Sequence, residues 1–441
     1  MNESEPRPGL LGRAVRSLAA RSARSEPRQR DEAGAERRVN ILLMTSYGVD
    51  GTIRTTLNLA GFLAASGYEV NLLSVYRDRE EPFFGDPPPG VRVHVLDDRR
   101  PRLARNLLRP LRAILRRRPS VLSHPDDRAY GSVNLWTDYR LGRALRRRTG
   151  FLVSTRPGLN LAAAWLDPPG LVLIGQEHMH LGEHSEALQE AIRREYPKLA
   201  LLSVLTPRDR KAYEEHLGPK PRVVRIRNAV RDMGGVRADL GSKTVIAAGR
   251  FVLQKGYDRL IQVWELVAPD HPDWRLCIFG HGPRQGQLES MIAKRGLEGS
   301  VTLSPPVEDI GAEMARASIF ALSSRWEGLP LVLLEAMEVG MAVISFDCPT
   351  GPRSVIKDHE NGLLIRPKTI ANFAAGLGEL MDDEELRQRL ADGARERARD
   401  FSMDRLGPRW VNELERAWVQ RERRRERRAA RQRSEAAGSP A

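Results

Sequence analysis

Two glutamates, Glu327 and Glu335, stand eight positions apart in the stretch SSRWEGLPLVLLEAMEVGMAVISFDCPTGP, Ser323 to Pro352. Gly328 frees the backbone after the first acid. Pro330 suits the first turn of a helix, where its fixed φ and missing N–H do no harm. Leu331, Leu334, Ala336 and Met337 give that helix an apolar face, Gly340 ends it, and Val343–Phe346 reads as a short buried strand. From Pro330 to Glu335 the helix rises only ~7 Å, so one ligand can touch both acids. The N–H groups of the helix N-terminus lie between them and suit a phosphate. Carboxylates for hydroxyls and amides for phosphate describe a nucleotide-sugar.

A second pair of groups lies upstream in TVIAAGRFVLQKGYDRLIQVWELV. Val245–Ala248 reads as a strand, Gly249–Gln254 as a loop and Gly256–Val267 as a helix. This sets Arg250 and Lys255 together at the C-terminal edge of a strand, where α/β sheets bind ligands. A nucleoside diphosphate gains negative charge as its glycosidic bond breaks. Positioned cations stabilise that charge more in the transition state than in the ground state.

Glu327 and Glu335, with EGLPLVLLEAM between them, resemble the E-x7-E element of retaining glycosyltransferases of family four, and G-R-x4-K-G resembles that family's donor-diphosphate site. The resemblance covers roughly Val39 to Trp418. It implies an α/β fold of two Rossmann-like, doubly wound domains facing a cleft (GT-B). It also implies that the first acid contacts the donor sugar and the second holds the ribose hydroxyls. Gly328, Leu329, Gly249, Gly280 and Val307 join Glu335 as expected donor-binding residues, the Ser304–Val307 loop lying near the base. Arg250, Lys255, Glu327 and His178 are the expected catalytic set.

His178 comes from GQEHMHLGEH. His178, His180, Glu183 and His184 also look like a metal cluster, and His180 to His184 fits H-x-x-E-H. That pattern needs a helix to gather its ligands, and Gly182 with the preceding turn argues against one. In the family, a histidine at a strand end of the acceptor domain contacts the donor sugar, and His178 is the nearest match. No metal ligands are therefore expected.

The elements that must hold these groups alternate strand and helix. The first domain opens with a βαβ unit: strand Val39–Met44, a glycine loop Tyr47–Thr52, helix Thr55–Ala65 and strand Val70–Val75. The unit lacks the G-x-G-x-x-G fingerprint of dinucleotide binding. In the family this loop approaches the donor phosphates and the acceptor, which singles out Gly48, Gly51, Thr52 and Arg54. Strands are also expected at Val91–Leu96, Phe151–Thr155, Leu171–Gly175, Leu199–Leu205 and Val223–Ile226. Thr206 and Asp209 form a helix cap, and a hinge is expected within Arg231–Lys243. The resulting division is a basic tail at 1–38, an acceptor domain at 39–235, a nucleotide-sugar domain at 236–400, a helix crossing back at 401–420 and a basic tail at 421–441.

Composition bounds the rest. A chain of 441 residues holds two or three domains. No run approaches the ~20 apolar residues of a membrane span, no continuous apolar core marks a signal peptide, and Cys277 and Cys348 suggest no disulfide framework. The expected location is cytoplasmic. Lys and Arg total 71 against 57 acids, a net charge of +14. The excess clusters in Arg99–Arg118, which has no acid, and in Arg421–Arg433. Leu10, Leu11, Ala14, Val15 and Leu18 fall on one face of a basic helix, and Leu103, Leu107, Leu108, Leu111, Ile114 and Leu115 recur at helical spacing, with Pro110 expected to kink or divide that helix. Such surfaces attract polyanions or the anionic inner face of a membrane; the bland alternative is a solvated tail.

The expected activity is therefore transfer of a sugar from a nucleotide-diphosphate donor, with retention, to a glycan, lipid-linked or phosphate-polymer acceptor of the cell envelope. No cofactor or metal is expected, because Arg250, Lys255 and the helix N-terminus supply the positive potential. A nucleotide-sugar hydrolase or epimerase on the same scaffold is one rival. A basic, non-catalytic nucleic-acid-binding protein is another, disfavoured because no recognition motif with interleaved aromatics appears.

Overall fold

The run TVIAA at 244–248 is apolar on both sides, and both sides are covered. Val245 and Ala247 belong to one core cluster, Ile246 and Ala248 to another. The same split by alternate residues divides Ile319 and Ala321 from Phe320 and Leu322. A strand with period-two side chains can bury all of them only when helices pack on both faces of the sheet. The computed structural model, which describes residues 9–28, 32–49, 51–100, 109–349 and 351–437, has this arrangement in its second half.

The chain divides into two compact units, Met1–Arg227 with Gly407–Ala441, and Asn228–Leu406. Each is Rossmann-like. Among the described residues the first holds a seven-stranded sheet in the order β3-β2-β1-β4-β5-β6-β7. Its strands are β1 Arg38–Leu43, β2 Glu69–Arg77, β3 Val91–Asp98, β4 Gly150–Ser154, β5 Leu171–Gln176, β6 Leu201–Val204 and β7 Arg222–Arg225. The second holds a six-stranded sheet, β10-β9-β8-β11-β12-β13. These are β8 Thr244–Ala248, β9 Arg275–Phe279, β10 Val301–Ser304, β11 Ile319–Leu322, β12 Ala342–Phe346 and β13 Leu363–Ile365. The pairings are parallel; Val39 registers with Val70 and Phe151, and Ile319 with Val245 and Ala342.

Four expectations are corrected. First, part of the stretch expected as an N-terminal tail is a packed helix, Leu10–Ala23. It turns Val15, Ala19 and Ala23 inward, while Leu10, Leu11, Ala14 and Leu18 of the expected apolar face stay exposed. The helix lies against Leu135–Ala144, where a Cβ on Gly142 would stand 2.5 Å from the Ala19 backbone. Arg24 donates to the carbonyls of Trp165 and Leu166, and Arg16 stacks 4.1 Å over Trp165.

Second, the arginines of Arg99–Arg118 do not all face outward. Arg99, Arg112 and Arg116 converge on Asp97, whose side chain is 0% exposed, at 3.1, 3.2 and 2.9 Å. A buried carboxylate at the end of β3 needs such partners. The helix is described over Arg109–Arg116, with Pro110 its second described residue, and the part expected before it lies outside the described residues. Leu115 faces inward while Leu111 and Ile114 are exposed; Leu103, Leu107 and Leu108 lie outside the described residues.

Third, the stretch expected as a hinge is laid on the second unit. Val230 N–H donates to Phe401 O, Ala238 N–H to Val339 O, and Met233 is buried beside Met314. The division therefore falls at 227 and 228. Fourth, the C-terminal arginine run is helical as far as it is described: one helix runs Met403–Ala437. Within the first unit it places Trp418 on Phe151 at 5.5 Å, Glu413 against Arg222, and Arg425 against Glu32.

Candidate functional site

The strand order of the second sheet reverses between β8 and β11. At such a switch point the following loops diverge and leave a crevice at the carboxyl edge. The loop after β8 carries Gly249 to Gly256, and the loop after β11 carries Ser323 to Pro330. They are tied together at several points. Arg325 N–H donates to Gln254 O at 2.8 Å, Gln254 Nε2 to Trp326 O at 3.1 Å, and Ser323 Oγ to Lys255 O at 2.9 Å. Gly256, with φ of 66°, makes this approach feasible, since a Cβ there would lie 2.3 Å from Ser323 O. Arg325 locks the base of the turn with a two-point pair to Asp258 at 2.9 and 2.7 Å.

The outcome is a contact between the two sequence-derived groups. Lys255 Nζ meets Glu327 Oε1 at 2.6 Å, and Ser324 Oγ donates to the same oxygen at 2.6 Å. Glu327 is buried, and Lys255 is largely so. The Lys255 stem passes Gly249, where a Cβ would stand 3.2 Å from its Cε and 2.8 Å from the Tyr257 hydroxyl. Gly280 closes the adjoining side: a Cβ on it would fall 2.0 Å from Gly249 O. Arg250 is exposed on the same turn. Gly328 is exposed and Leu329 half-buried. Val307, half-buried after β10, packs on the core cluster that holds Phe320.

Pro330 proves to be the N-cap residue, with φ −76° and ψ 93°, so the helix is Leu331–Val339 and ends on Gly340 with φ of 84°. Glu335 sits in its second turn and is buried. Two participants were not read from the sequence, Ser324 and Tyr257. Ser324 lies three positions before Glu327, a spacing that offered a weak signal.

In the first sheet the order reverses between β1 and β4. The helix after β1 starts earlier than expected and runs Gly51–Ala65. Gly51, Thr52 and Arg54 therefore occupy its first turn rather than a loop. Thr52 O accepts from the hydroxyls of Thr55 and Thr56, and Arg54 stacks 4.5 Å over Phe84. Gly48 presses on Ile53, where a Cβ would be 3.1 Å from Cδ1.

His178 stands half-buried just past β5. His180 and His184 of the same loop each have a side-chain neighbour. His180 Nδ1 is 2.9 Å from Asp209 Oδ1, and Asp209 completes a capping box with Thr206 at the start of helix Pro207–Leu217. His184 Nε2 lies 3.4 Å from the Tyr213 hydroxyl, and burial lowers its pKa to about 4. The H-x-x-E-H residues fall on a short 3-10 turn, Leu181–Glu183. Among the described residues no group of three or more His, Cys, Asp or Glu is placed to hold a metal ion.

Residues 232–397 match the protein family described as Glycosyl transferases group 1, so the second unit carries a glycosyltransferase group 1 domain. The chain is 34% identical over 381 residues to an exopolysaccharide phosphotransferase of Streptomyces coelicolor, a match covering 85% of this chain and 40% of that protein. It thus spans less than half the length of that relative. It is 27% identical over 318 residues to the alpha-D-kanosaminyltransferase of Streptomyces kanamyceticus, covering 63% of this chain and 82% of that protein. Among solved structures, S. aureus TarM, crystallised with fondaparinux, alpha-GlcNAc-glycerol and UDP, superposes with a TM-score of 0.68 at 15% identity. That match covers 86% of this chain and 99% of TarM. The fold is accordingly that of the GT-B glycosyltransferases.

Proposed function

From the glycosyltransferase group 1 domain at residues 232–397, we propose that this chain transfers a sugar from a nucleotide-diphosphate donor to an acceptor with retention of anomeric configuration. The observation that carries the reading is the Lys255–Glu327 pair at the β8/β11 switch point. It offers a cation for the donor's diphosphate and a carboxylate for its sugar hydroxyls on one edge. Arg250, exposed on the neighbouring turn, adds a second cation, and Glu335 takes the ribose.

The chemistry follows from these groups. The anomeric C–O bond to the diphosphate breaks, and Arg250 and Lys255 stabilise the charge the leaving group gains. No carboxylate presents itself clearly as a covalent nucleophile, so the acceptor oxygen enters on the same face. Its proton passes to the departing phosphate oxygen. His178 contacts the donor sugar in this scheme, and Gly48, Gly51, Thr52 and Arg54 serve the phosphates and the acceptor. The two cations and the helix N-terminus at Leu331 supply positive potential without a metal ion.

A second reading has one observation behind it, the Streptomyces coelicolor relative named an exopolysaccharide phosphotransferase. The two reactions break different bonds of one donor. Sugar transfer releases a nucleoside diphosphate, whereas transfer of a sugar phosphate releases a nucleoside monophosphate. Calorimetry against a panel of nucleotide-sugars identifies the donor, and chromatography of its nucleotide product separates the readings. Release of monophosphate would overturn sugar transfer, and an inverted anomeric signal by NMR would overturn retention.

The acceptor in this reading is a glycan, lipid-linked or phosphate-polymer chain of the cell envelope, reached from the cytoplasmic side by peripheral contact with anionic lipid. Two facts support that location. No described helix is long and apolar enough to cross a membrane. Leu10, Leu11, Leu18, Leu111 and Ile114 stay exposed on helices Leu10–Ala23 and Arg109–Arg116, which share a small core of Val15, Leu115, Leu135 and Trp136.

A further inference from the structure

Beside His178 lies a carboxyl group that the transfer chemistry does not use. Glu177 follows β5 directly and its side chain is fully buried, 0% exposed. Its backbone N–H donates to Ser203 O at 2.9 Å, so the residue continues the sheet. Oε1 accepts from Asn160 Nδ2 at 2.9 Å and from the Tyr196 hydroxyl. Asn160 is itself fixed, by Ser154 Oγ on its Oδ1 at 2.6 Å and through its Nδ2 to Gln176 O at 3.1 Å. Oε2 is buried without a hydrogen-bond partner and stands 3.9 Å from Nε2 of His184.

The charges around this carboxyl are few. Asp127 is the acid whose charge acts on it, and Asp127 is already paired with Arg156 at 2.9 Å. Tyr196 and Tyr213 face the group as neutral phenols, because burial raises both well above their ordinary value. His184, set among Asp127, Arg128 and His180, is held neutral by burial. Among the described residues no lysine or arginine pairs directly with Glu177, and Arg156, committed to Asp127, acts on it only through its charge. Asn160, Tyr196 and the more distant Arg156 offset only part of the cost of ionising a carboxyl in such a pocket, and burial pushes the Glu177 carboxyl up to about 8.

The loop from 177 to 184 is pinned on either side of His178: at Glu177 through Asn160 and Tyr196, and at His180 through Asp209. We propose that Glu177 acts as an uncharged carboxylic acid that positions His178, and that ionising it releases the histidine from its working place. The inference rests on the reading of His178 as a donor-sugar contact. Glu177 itself is a positioning residue and touches no reacting atom in this scheme.

The test is spectroscopic and uses the full chain without ligand. The protein is labelled with carbon-13 at glutamate carboxyls and histidine rings, and the His178 signal is identified by its loss in His178→Gln. The expected result is that the Glu177 carboxyl and the His178 ring shift together with one midpoint on the alkaline side of neutrality. Glu177→Gln, which mimics the neutral acid, should keep the His178 signal at its neutral-pH position and abolish the shift. Glu177→Ala should displace the signal already at neutral pH. If the alanine variant fails to fold, the glutamine variant and the pH series still decide the matter. A Glu177 carboxyl ionised at neutral pH, a His178 signal with no alkaline inflection, or a glutamine variant displaced at neutral pH would each overturn the proposal. Full activity of His178→Ala would instead sink the role given to His178 and leave the measured coupling standing.

Discussion

Lys255 Nζ and Glu327 Oε1, 72 positions apart in sequence, lie 2.6 Å from each other where the second sheet reverses its strand order. Each is the other's counter-ion in a largely water-free place, so neither can be removed alone without leaving a buried charge.

Lys255→Ala should lower turnover by about two to three orders of magnitude, with a smaller effect on donor affinity. It should also lower stability, because Glu327 loses its cation. Steady-state kinetics and thermal unfolding with and without donor check both parts. An unchanged kcat would remove Lys255 from the leaving-group role.

Glu335→Gln should weaken donor binding by ~1–3 kcal/mol through lost charge-assisted bonds to ribose. Calorimetry with the preferred nucleotide-sugar measures it. Equal affinity for the variant and wild type would place the ribose elsewhere.

Stability should depend on pH in a direction set by two buried acids of the first unit. Burial raises Glu177 to about 8 and Asp138 to about 7, both above their ordinary carboxylate values. Their contribution is fully present below those ordinary values and is lost as pH rises through about 7 and 8. His184 works the other way: its folded value, about 4, lies below the ordinary 6.5, so acidification through that window costs stability. Glu177→Gln and Asp138→Asn should therefore gain in thermal midpoint relative to wild type as pH is raised from 5 to 9. Parallel curves for variant and wild type would refute it.

Asp97→Asn should cost about 3–5 kcal/mol, since three arginines would lose the carboxylate they share. Arg117→Gln and Arg118→Gln should change stability little, because both arginines are exposed. The same contrast sets the membrane experiment. Replacing Leu111, Ile114, Arg117 and Arg118 together should weaken sedimentation with anionic vesicles at low salt and leave donor binding intact. Equal sedimentation with neutral vesicles would remove the case for an electrostatic surface. Arg112 and Arg116 are unsuitable for this purpose, being structural.

Most strands were legible because they are short apolar runs between turn residues, and runs such as Val343–Phe346 need both faces covered to be stable. Glu327 and Lys255 could be read as chemistry-bearing groups, but not as a contact, because the strand order that joins their loops is a property of the whole sheet. The packing of Leu10–Ala23 was not legible. Its interface is built from alanines against Gly142, and small residues carry little hydrophobic signal until the partner helix is known. Its exposed leucines pointed the other way. The burial of Asp97 was hidden for a related reason: two adjacent acids, Asp97 and Asp98, before an arginine run read as solvated. The helices Leu135–Ala144, Pro157–Leu166 and Glu186–Glu195 also went unread.

The first unit is made of two pieces of chain, Met1–Arg227 and Gly407–Ala441, with the whole of the second unit encoded between them. During synthesis this fixes an order of events. The second unit can be complete while Phe151 still waits for Trp418 and Arg222 for Glu413. At roughly 5–20 residues per second, the sheet that carries His178 spends on the order of ten seconds or more with its last covering helix unmade. Its exposed apolar surface in that interval is a demand on chaperones that the second unit does not share. A chain released at residue 406 would therefore carry a finished second unit joined to an unfinished first one.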